Sequence, residues 1–226
     1  MPYLYVVRHG QPDFAGNYDS ITTLGFQQSD WLGEHFAARG LRFARVVSGT
    51  LIRQVETCDA ILNRMPDAPE PHRDARLNEY DHASLLAFFE GDDQKRLRAT
   101  GDRRGYFIAI RDALYAWSRH EGPLTGAETW SDFGARIQDA LEAACEGLER
   151  DDAVLVVTSG GVIGRLVAET LGANADAAIQ LNLQARNTGV TEIVRGATVS
   201  RVAVFNAIPH LDRPERPERL QALTYS

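Results

Sequence analysis

Short apolar runs rich in β-branched residues alternate along this chain with longer segments of helical spacing, and this alternation constrains the fold most. A strand that is apolar on both faces needs cover on both sides, which an intervening helix supplies. The pattern predicts an α/β protein, a three-layer sandwich around a roughly six-stranded, mostly parallel sheet. The predicted strands are Leu4–Val7, Ala44–Ser48, Ala153–Thr158, Gly189–Val194 and Val199–Asn206, with a short one near Pro71–Leu77.

Helical spacing of apolar residues fills most of the intervals between these strands. The predicted helices are Thr22–Arg39, Leu51–Arg64, Ser84–Leu97, Tyr106–His120, Thr129–Arg150 and Val162–Leu171. The last two strands are separated only by Gly196-Ala197-Thr198, which predicts a hairpin and therefore one antiparallel strand in the sheet.

We expect residues 1–226 to form a single domain. Residues from about 80 to 124 interrupt the sheet pattern with helices and charges, and we interpret them as a helical insertion that covers the active site at the strand ends. A solvated pair of helices that touches no ligand is the alternative. Residues 209–226, where prolines alternate with charges, are predicted to form an extended surface tail.

The composition excludes several classes of partner. A formal net charge of −7 argues against a general surface for nucleic acid or anionic membranes. The chain has no apolar stretch of membrane-spanning length and no signal-peptide pattern, so we expect a cytoplasmic protein. Cys58 and Cys145 lack metal-ligand spacing, which predicts unpaired thiols and no metal site. The oligomeric state stays open, a homodimer being one alternative.

Groups suited to binding phosphate follow several predicted strands, where open α/β sheets place their sites. Arg8-His9-Gly10-Gln11 comes directly after the first strand, and Arg53 lies in the first turn of the helix after the second. Ser159-Gly160-Gly161 opens a later helix, so it offers backbone N–H groups and the positive end of a helix dipole to an anion. Glu79 follows the short strand and adds a carboxylate.

In this order and spacing, the segments resemble the histidine phosphatase superfamily (phosphoglycerate mutase-like, branch 1), which includes cofactor-dependent phosphoglycerate mutases and many phosphomonoesterases. The resemblance extends from Leu4 to about Leu211. Further segments that resemble the family's pattern are Ile21–Gln28, Gly126–Thr129, Asn187–Thr191 and Phe205–Leu211. The resemblance implies a phosphohydrolase that acts on a phosphomonoester without a metal or cofactor.

The resemblance also implies a role for each residue. His9 would be the nucleophile that carries the phosphoryl group as a transient phosphohistidine, and Arg8 and Arg53 would hold the phosphoryl oxygens. Glu79 would protonate the departing oxygen and later activate water. Two nearby guanidinium groups also lower the pKa of an imidazole and neutralise charge on transferred phosphoryl oxygens, which agrees with these roles. The amide of Gln11 is a further candidate for a phosphate contact.

Two of these assignments leave alternatives open. Asp81 and Glu128 are other candidates for the catalytic carboxylate. Ser159 stands where the family usually has a second histidine, and a serine offers one neutral hydroxyl donor in place of an imidazole. Losing one well-placed donor costs about 3–4 kcal/mol of transition-state stabilisation, so we expect a slower enzyme. Ser159 could also act only as a helix N-cap, and His82 is a candidate for the missing imidazole.

The serine at position 159 also motivates an alternative function that is not enzymatic. A phospho-ligand binding or regulatory protein with little turnover needs the arginines and helix N–H groups but not the full catalytic set. A phosphoglycerate mutase is disfavoured, because the region Tyr80–Asp102 contains no match for that enzyme's contacts to a carboxylated substrate. On each of these hypotheses the partner is a small phosphorylated substrate or inorganic phosphate.

Overall fold

The computed structural model describes residues 2–14, 16–89, 91, 92, 95, 103–196 and 199–225. Within them, six strands form one sheet in the order β3-β2-β4-β1-β5-β6. The strands are β1 (Tyr3–Arg8), β2 (Arg45–Ser48), β3 (His72–Arg73), β4 (Ala153–Thr158), β5 (Val190–Val194) and β6 (Arg201–Ala207). Strand β5 runs in the direction opposite to the other five strands, so it is antiparallel to both of its neighbours, β1 and β6. The predicted α/β class, with a mostly parallel sheet and one antiparallel strand, is confirmed.

Helices cover both faces of this sheet, because the side chains of each central strand alternate between two apolar layers. Tyr5 and Val7 of β1 face one layer, and Leu4 and Val6 face the other. The first layer contains α1 (Thr23–Ala38) and α2 (Ile52–Leu62). The second contains α3 (His82–Phe89), α4 (Arg103–Arg119), α5 (Trp130–Cys145), α6 (Gly160–Thr170) and α7 (Ala175–Gln184). None of the helices in the described ranges is long and apolar enough to span a bilayer.

Helix α7 is absent from the sequence-based prediction. Asn174 caps it, since its Oδ1 accepts a hydrogen bond from Ala177 N at 3.0 Å. Its buried residues are Ala178 and Ile179. Two adjacent buried residues do not produce the recurrent apolar spacing by which an amphipathic helix is recognised. The sequence therefore contains little signal for this helix. The predicted helix Ser84–Leu97 extends into residues outside the described ranges, as does the turn at residues 197 and 198.

The carboxyl-terminal tail differs from the extended surface segment that we predicted. Residues Pro217–Ala222 form a 3₁₀ helix, and Leu211 and Ala222 are buried. Trp31 of α1 packs against this small apolar cluster. Gln28, also on α1, donates from Nε2 to the carbonyl oxygen of Ala222 at 2.7 Å. The tail therefore packs on α1; its frequent charges concealed the few apolar residues that anchor it.

Helices α1 and α2 approach closely at Gly33. A Cβ atom at this position would lie 2.4 Å from the carbonyl oxygen of Ile61 and 2.9 Å from Cβ of Arg64. The first of these atoms belongs to the backbone of a neighbouring helix, so relief requires moving the helix.

We predict that Gly33→Ala lowers the free energy of unfolding by at least about 1 kcal/mol. The overpacking cost of about 1–3 kcal/mol outweighs the gain in helix propensity when the clash is with backbone. Urea denaturation measures the change. Gln27→Ala, at an exposed position of the same helix, is the matched control and should stay within about 0.5 kcal/mol of wild type. A Gly33→Ala protein as stable as wild type would contradict the close approach.

Candidate active site

His9 lies just beyond the carboxyl end of β1, with its side chain buried. Its backbone N–H donates to the carbonyl oxygen of Thr158, the last residue of neighbouring β4, at 2.9 Å. Nδ1 lies 2.8 Å from the carbonyl oxygen of Gly10. A carbonyl oxygen can only accept, so this contact places the ring proton on Nδ1 and leaves the lone pair on Nε2. The strand end thus fixes both the position and the tautomer of the imidazole.

Two guanidinium groups share this buried region with His9. Arg8 is buried and donates from Nη1 to the carbonyl oxygen of Ala185, the residue that follows α7. Arg53, in the first turn of α2, is also buried and donates from Nη1 to Oδ1 of Asp19 at 2.8 Å. Within the described residues, the Nε atom of each arginine is buried without a hydrogen-bond partner. The pair therefore retains N–H groups that can serve an added acceptor.

The electrostatic environment favours the neutral imidazole. Burial lowers the pKa of His9 well below its usual value, and the charges of Arg8 and Arg53 lower it further. The hydrogen bond with Gly10 opposes this shift. Burial also lowers the pKa of Arg8, because keeping its positive charge away from water is unfavourable. The imidazole lone pair is consequently available at pH values where an exposed histidine would be protonated.

Glu79 brings its carboxylate to the amino-terminal end of α6. Oε2 accepts from Gly161 N at 3.1 Å, and Oε1 accepts from Tyr80 N at 3.3 Å. A Cβ atom at position 161 would lie 2.3 Å from Oε1 of Glu79 and 2.4 Å from Cε1 of Tyr80, so a larger residue there would displace these side chains. Burial raises the pKa of Glu79, and this outweighs the lowering by the Gly161 hydrogen bond and by Arg53 and Arg8. The carboxyl group therefore holds a proton to higher pH than an exposed glutamate.

The two alternative carboxylates are committed to other contacts. Asp81 accepts from Ala83 N at 2.9 Å and from Ser84 Oγ at 2.6 Å, which caps the start of α3 and lowers its pKa. Glu128 forms a two-point ion pair with Arg136, each contact being 2.7 Å long. Glu79, by contrast, is buried, and the charges of Arg53 and Arg8 act on its pKa.

Ser159 occupies the N-cap position of α6, yet its side chain does not cap the helix. Its buried Oγ instead accepts from Nε2 of Gln54 at 2.9 Å, so the hydroxyl proton remains for another acceptor. The next residue, Gly160, lies beside Arg8, whose Nε would be 3.5 Å from a Cβ at position 160. The structure thus brings the start of α6 next to the arginine that precedes His9.

Gln11 is placed differently from the other predicted residues. Its Oε1 accepts from Oγ1 of Thr22, the N-cap of α1, at 2.9 Å. Its backbone N–H donates to Oε1 of Gln28, also at 2.9 Å. A cavity adjoins the site, and of the predicted residues Arg53 and Glu79 line it; Gln11, like Arg8, His9, Ser159 and Gly160, is not in its described wall. The amide oxygen of Gln11 therefore binds the N-cap residue of α1, and the contact of Gln11 with phosphate stays a prediction.

A cavity of about 610 Å³ opens beside this cluster. Arg53 and Glu79 belong both to its wall and to the charged group around His9. Helices α3 and α4 contribute His82, Leu86 and Tyr106 to the described wall. The loops contribute Tyr18, Asp19, Tyr80 and Asp81. Within the described ranges, no group of three or more His, Cys, Asp or Glu side chains could hold a metal ion.

Several residues that support the site carried no role in the sequence analysis. Asn187 donates from Nδ2 to the carbonyl oxygens of His9 and Gly10, at 3.1 and 3.3 Å. Thr224 of the tail donates from Oγ1 to Oδ1 of Asn187 at 2.9 Å. Thr57 accepts from Gly10 N at 2.9 Å. Asn187 and Thr57 lie in segments that resemble the family's pattern, whereas no local signal marked Thr224.

Comparison with known proteins assigns the chain to a family. Residues 4–208 match the family model described as histidine phosphatase superfamily (branch 1). A protein of Rhizobium etli named 2,3-bisphosphoglycerate-dependent phosphoglycerate mutase is 32% identical over 176 residues, which covers 74% of this chain and 78% of that protein. A Rhizobium meliloti protein of the same name is 28% identical over 214 residues, covering 88% and 92% of the two chains.

Solved structures share the fold at lower identity. Bacillus stearothermophilus YhfR superposes with a TM-score of 0.70 at 23% identity, covering 93% of this chain and 99% of its own. Mycobacterial glucosyl-3-phosphoglycerate phosphatase superposes with a TM-score of 0.63 at 24% identity, covering 91% and 98% of the two chains. With most of its length matched by the family model, the chain belongs to the histidine phosphatase superfamily, branch 1.

Proposed function

We propose that this protein is a phosphohydrolase that cleaves a phosphomonoester through a phosphohistidine at Nε2 of His9. One observation carries the proposal: a buried imidazole, with its Nε2 lone pair available, lies beside two buried guanidinium groups that each retain an unpartnered Nε. Two buried positive charges beside a neutral nucleophile favour binding of a multiply charged anion. Phosphoryl transfer needs this combination of a positioned nucleophile and concentrated positive charge.

In the first step, the Nε2 lone pair of His9 attacks phosphorus. The new P–N bond forms as the P–O bond to the leaving group breaks. Arg8 and Arg53 balance the charge on the phosphoryl oxygens. The positive charge that develops on the imidazole is stabilised through the hydrogen bond from Nδ1 to Gly10. Glu79, whose pKa burial raises, donates its proton in its acid form to the departing oxygen.

In the second step, the ionised Glu79 takes a proton from a water molecule whose oxygen attacks phosphorus. The P–N bond breaks, its electron pair returns to Nε2, and inorganic phosphate leaves. Glu79 regains its proton, so both residues return to their starting states. The proposed sequence uses only water and the side chains of this chain, without a cofactor.

We assign Ser159 a reduced form of the role that the family gives to a histidine. Because Gln54 donates to its oxygen, the Ser159 hydroxyl can donate its own proton to a phosphoryl oxygen. It contributes a hydrogen bond but no cation. On this basis alone we expect a rate below that of a site with a second imidazole.

Two other functions have some support. A phosphate-binding protein with little turnover is supported by the neutral side chain at position 159, because binding does not need a second imidazole. Phosphoglycerate mutase activity is suggested by the names of the related Rhizobium proteins. Against the mutase, the described cavity wall contains three carboxylates, Asp19, Glu79 and Asp81, and one arginine, Arg53. That balance disfavours a carboxylated leaving group.

We predict that His9→Ala lowers the hydrolysis rate of 4-nitrophenyl phosphate by at least about 10³-fold, because the nucleophile is lost. His35→Ala, a partly buried histidine on α1 that does not line the cavity among described residues, is the control. Rapid quenching of wild type followed by mass spectrometry should detect a phosphorylated peptide containing His9. Tight phosphate binding with no turnover between pH 4.5 and 7.5 would instead establish the binding protein.

We predict that Glu79→Gln separates substrates by leaving group. For an alkyl phosphate, kcat/KM should fall by about 10²–10⁴-fold, because a poor leaving group needs the proton. For 4-nitrophenyl phosphate the fall in kcat/KM should be below about 10-fold. Asp81→Asn is the matched control and should show no such difference. Equal losses on both substrates would exclude Glu79 as the acid.

The same variant tests the pH dependence. The raised pKa of Glu79 keeps the acid form present above its usual range, and the lowered pKa of His9 keeps the nucleophile free below its usual range. For the alkyl phosphate, wild-type kcat/KM should therefore be highest at acidic pH and fall as Glu79 ionises. The ratio of wild type to Glu79→Gln removes the substrate's own ionisation. A ratio that does not vary with pH would contradict this assignment.

A further inference from the structure

We propose that His82 is a catalytic residue, whose Nε2 donates a hydrogen bond to a phosphoryl oxygen and supplies the imidazole donor that position 159 lacks. The inference rests on the proposed function, since it takes the phosphoryl group to bind beside His9, Arg8 and Arg53. It adds a residue from α3, a different element from the one on which the family pattern places its second histidine.

A residue that binds the phosphoryl group must lie close to the other site residues, and the position of His82 meets this requirement. His82 begins α3, three residues after Glu79 in the chain, and lines the same cavity as Glu79 and Arg53. Its ring packs on Tyr80, with the ring centroids 4.9 Å apart and the planes at 39°. Tyr80 is itself buried and accepts from Nδ2 of Asn182 at its hydroxyl, 3.0 Å away. The imidazole is therefore held against a fixed part of the cavity wall.

Such a residue must also have a nitrogen that is free to donate, and the hydrogen bonds of His82 meet this second requirement. Nδ1 lies 3.2 Å from the hydroxyl oxygen of Tyr106 on α4. Nε2 is buried and has no hydrogen-bond partner within the described residues. His35, His82 and His210 each have such a buried nitrogen, and His82 is the one of the three whose residue lines the described cavity wall, where an added group could accept from it. When the Tyr106 hydroxyl donates to Nδ1, the ring proton lies on Nε2, which makes that nitrogen a donor for an acceptor in the cavity.

His82 lies in the same electrostatic environment as the two site arginines. Burial, followed by the charge of Arg53, lowers the pKa of His82 to about 4; Asp81 opposes this shift and Arg8 adds to it. His82 in turn contributes to the lowered pKa of His9. The histidine thus shares the field of both arginines with the nucleophile. It is neutral in the empty site, where a third positive charge would be unfavourable, and a bound phosphoryl dianion would offset the guanidinium charges.

The local contacts of Ser159 explain why another donor would be needed. The Ser159 hydroxyl is short, buried and tied to Gln54, so it contributes one neutral hydrogen bond. His82 offers a longer side chain whose tip carries an uncommitted nitrogen. We therefore expect the Ser159 hydroxyl and Nε2 of His82 together to donate the hydrogen bonds that a single imidazole at position 159 would otherwise supply.

The test compares two substitutions of His82 with a matched histidine elsewhere. His82→Phe keeps the ring and removes both nitrogens, while His82→Gln keeps an amide donor near the position of Nε2. For 4-nitrophenyl phosphate, kcat/KM should fall about 10²-fold in His82→Phe and less than about 10-fold in His82→Gln. His35→Phe is the control, because His35 is also partly buried with an unpartnered Nε2 but lies outside the cavity wall among described residues. It should remain within about threefold of wild type.

A second measurement reports contact without turnover. Wild-type protein labelled with ¹⁵N-histidine is titrated with tungstate, a tetrahedral oxoanion, and the His82 ring signals are assigned by their loss in His82→Gln. A shift of the Nε2 signal at saturating tungstate supports the proposal. Unchanged His82 signals while those of His9 move would overturn it, as would wild-type kcat/KM in a folded His82→Phe.

The two proposals can fail separately. If wild type shows no turnover that depends on His9, the proposed function fails, and the tungstate titration still decides whether His82 contacts the anion. If turnover depends on His9 while neither the His82 variants nor the titration shows an effect, the His82 proposal alone is wrong. Should His82→Phe lose its urea unfolding transition, His82→Gln and the titration decide.

Discussion

The candidate active site is built around two guanidinium groups that are buried beside a neutral imidazole. The nearby carboxylates are too few to neutralise the charge of these two groups. Arg8 donates to a backbone carbonyl oxygen, and Arg53 has one partly exposed carboxylate, Asp19, as its direct partner among described residues. Charges held away from water are costly unless they are paired, so this arrangement is unfavourable without an added anion. An oxoanion supplies the missing negative charge and accepts from the free N–H groups. The same field keeps the imidazole of His9 unprotonated, which links anion binding to nucleophilic reactivity.

The central strands of the sheet deliver these groups to one place. In the parallel pair β1 and β4, Arg8 lies directly opposite Thr158, so His9 and Ser159 leave the sheet side by side. The close approach of α1 to this edge requires Gly10, since a Cβ there would lie 2.6 Å from the carbonyl oxygen of Gly25. Parallel strands that end at the same edge thus give a physical reason why residues about 150 positions apart can form one anion site.

The sequence was informative where the signal is local. Alternating apolar runs identified the strands, and the residues directly after them, His9 and Ser159, were found because strand ends are recognisable in sequence. The supporting contacts were not predictable in this way. Asn187 holds the carbonyl of His9 across 178 positions, and Thr224 holds Asn187 from the tail. No periodic pattern records such a contact, because only the folded chain brings its members together. His82 shows the intermediate case: its position near Glu79 was visible, but the direction of its ring was not.

A crystal structure with bound orthovanadate tests the central claim most directly. We expect vanadium bonded to Nε2 of His9, with vanadate oxygens accepting from both Arg8 and Arg53. Vanadate bound at another place, or an imidazole of His9 turned away from both arginines, would contradict the account.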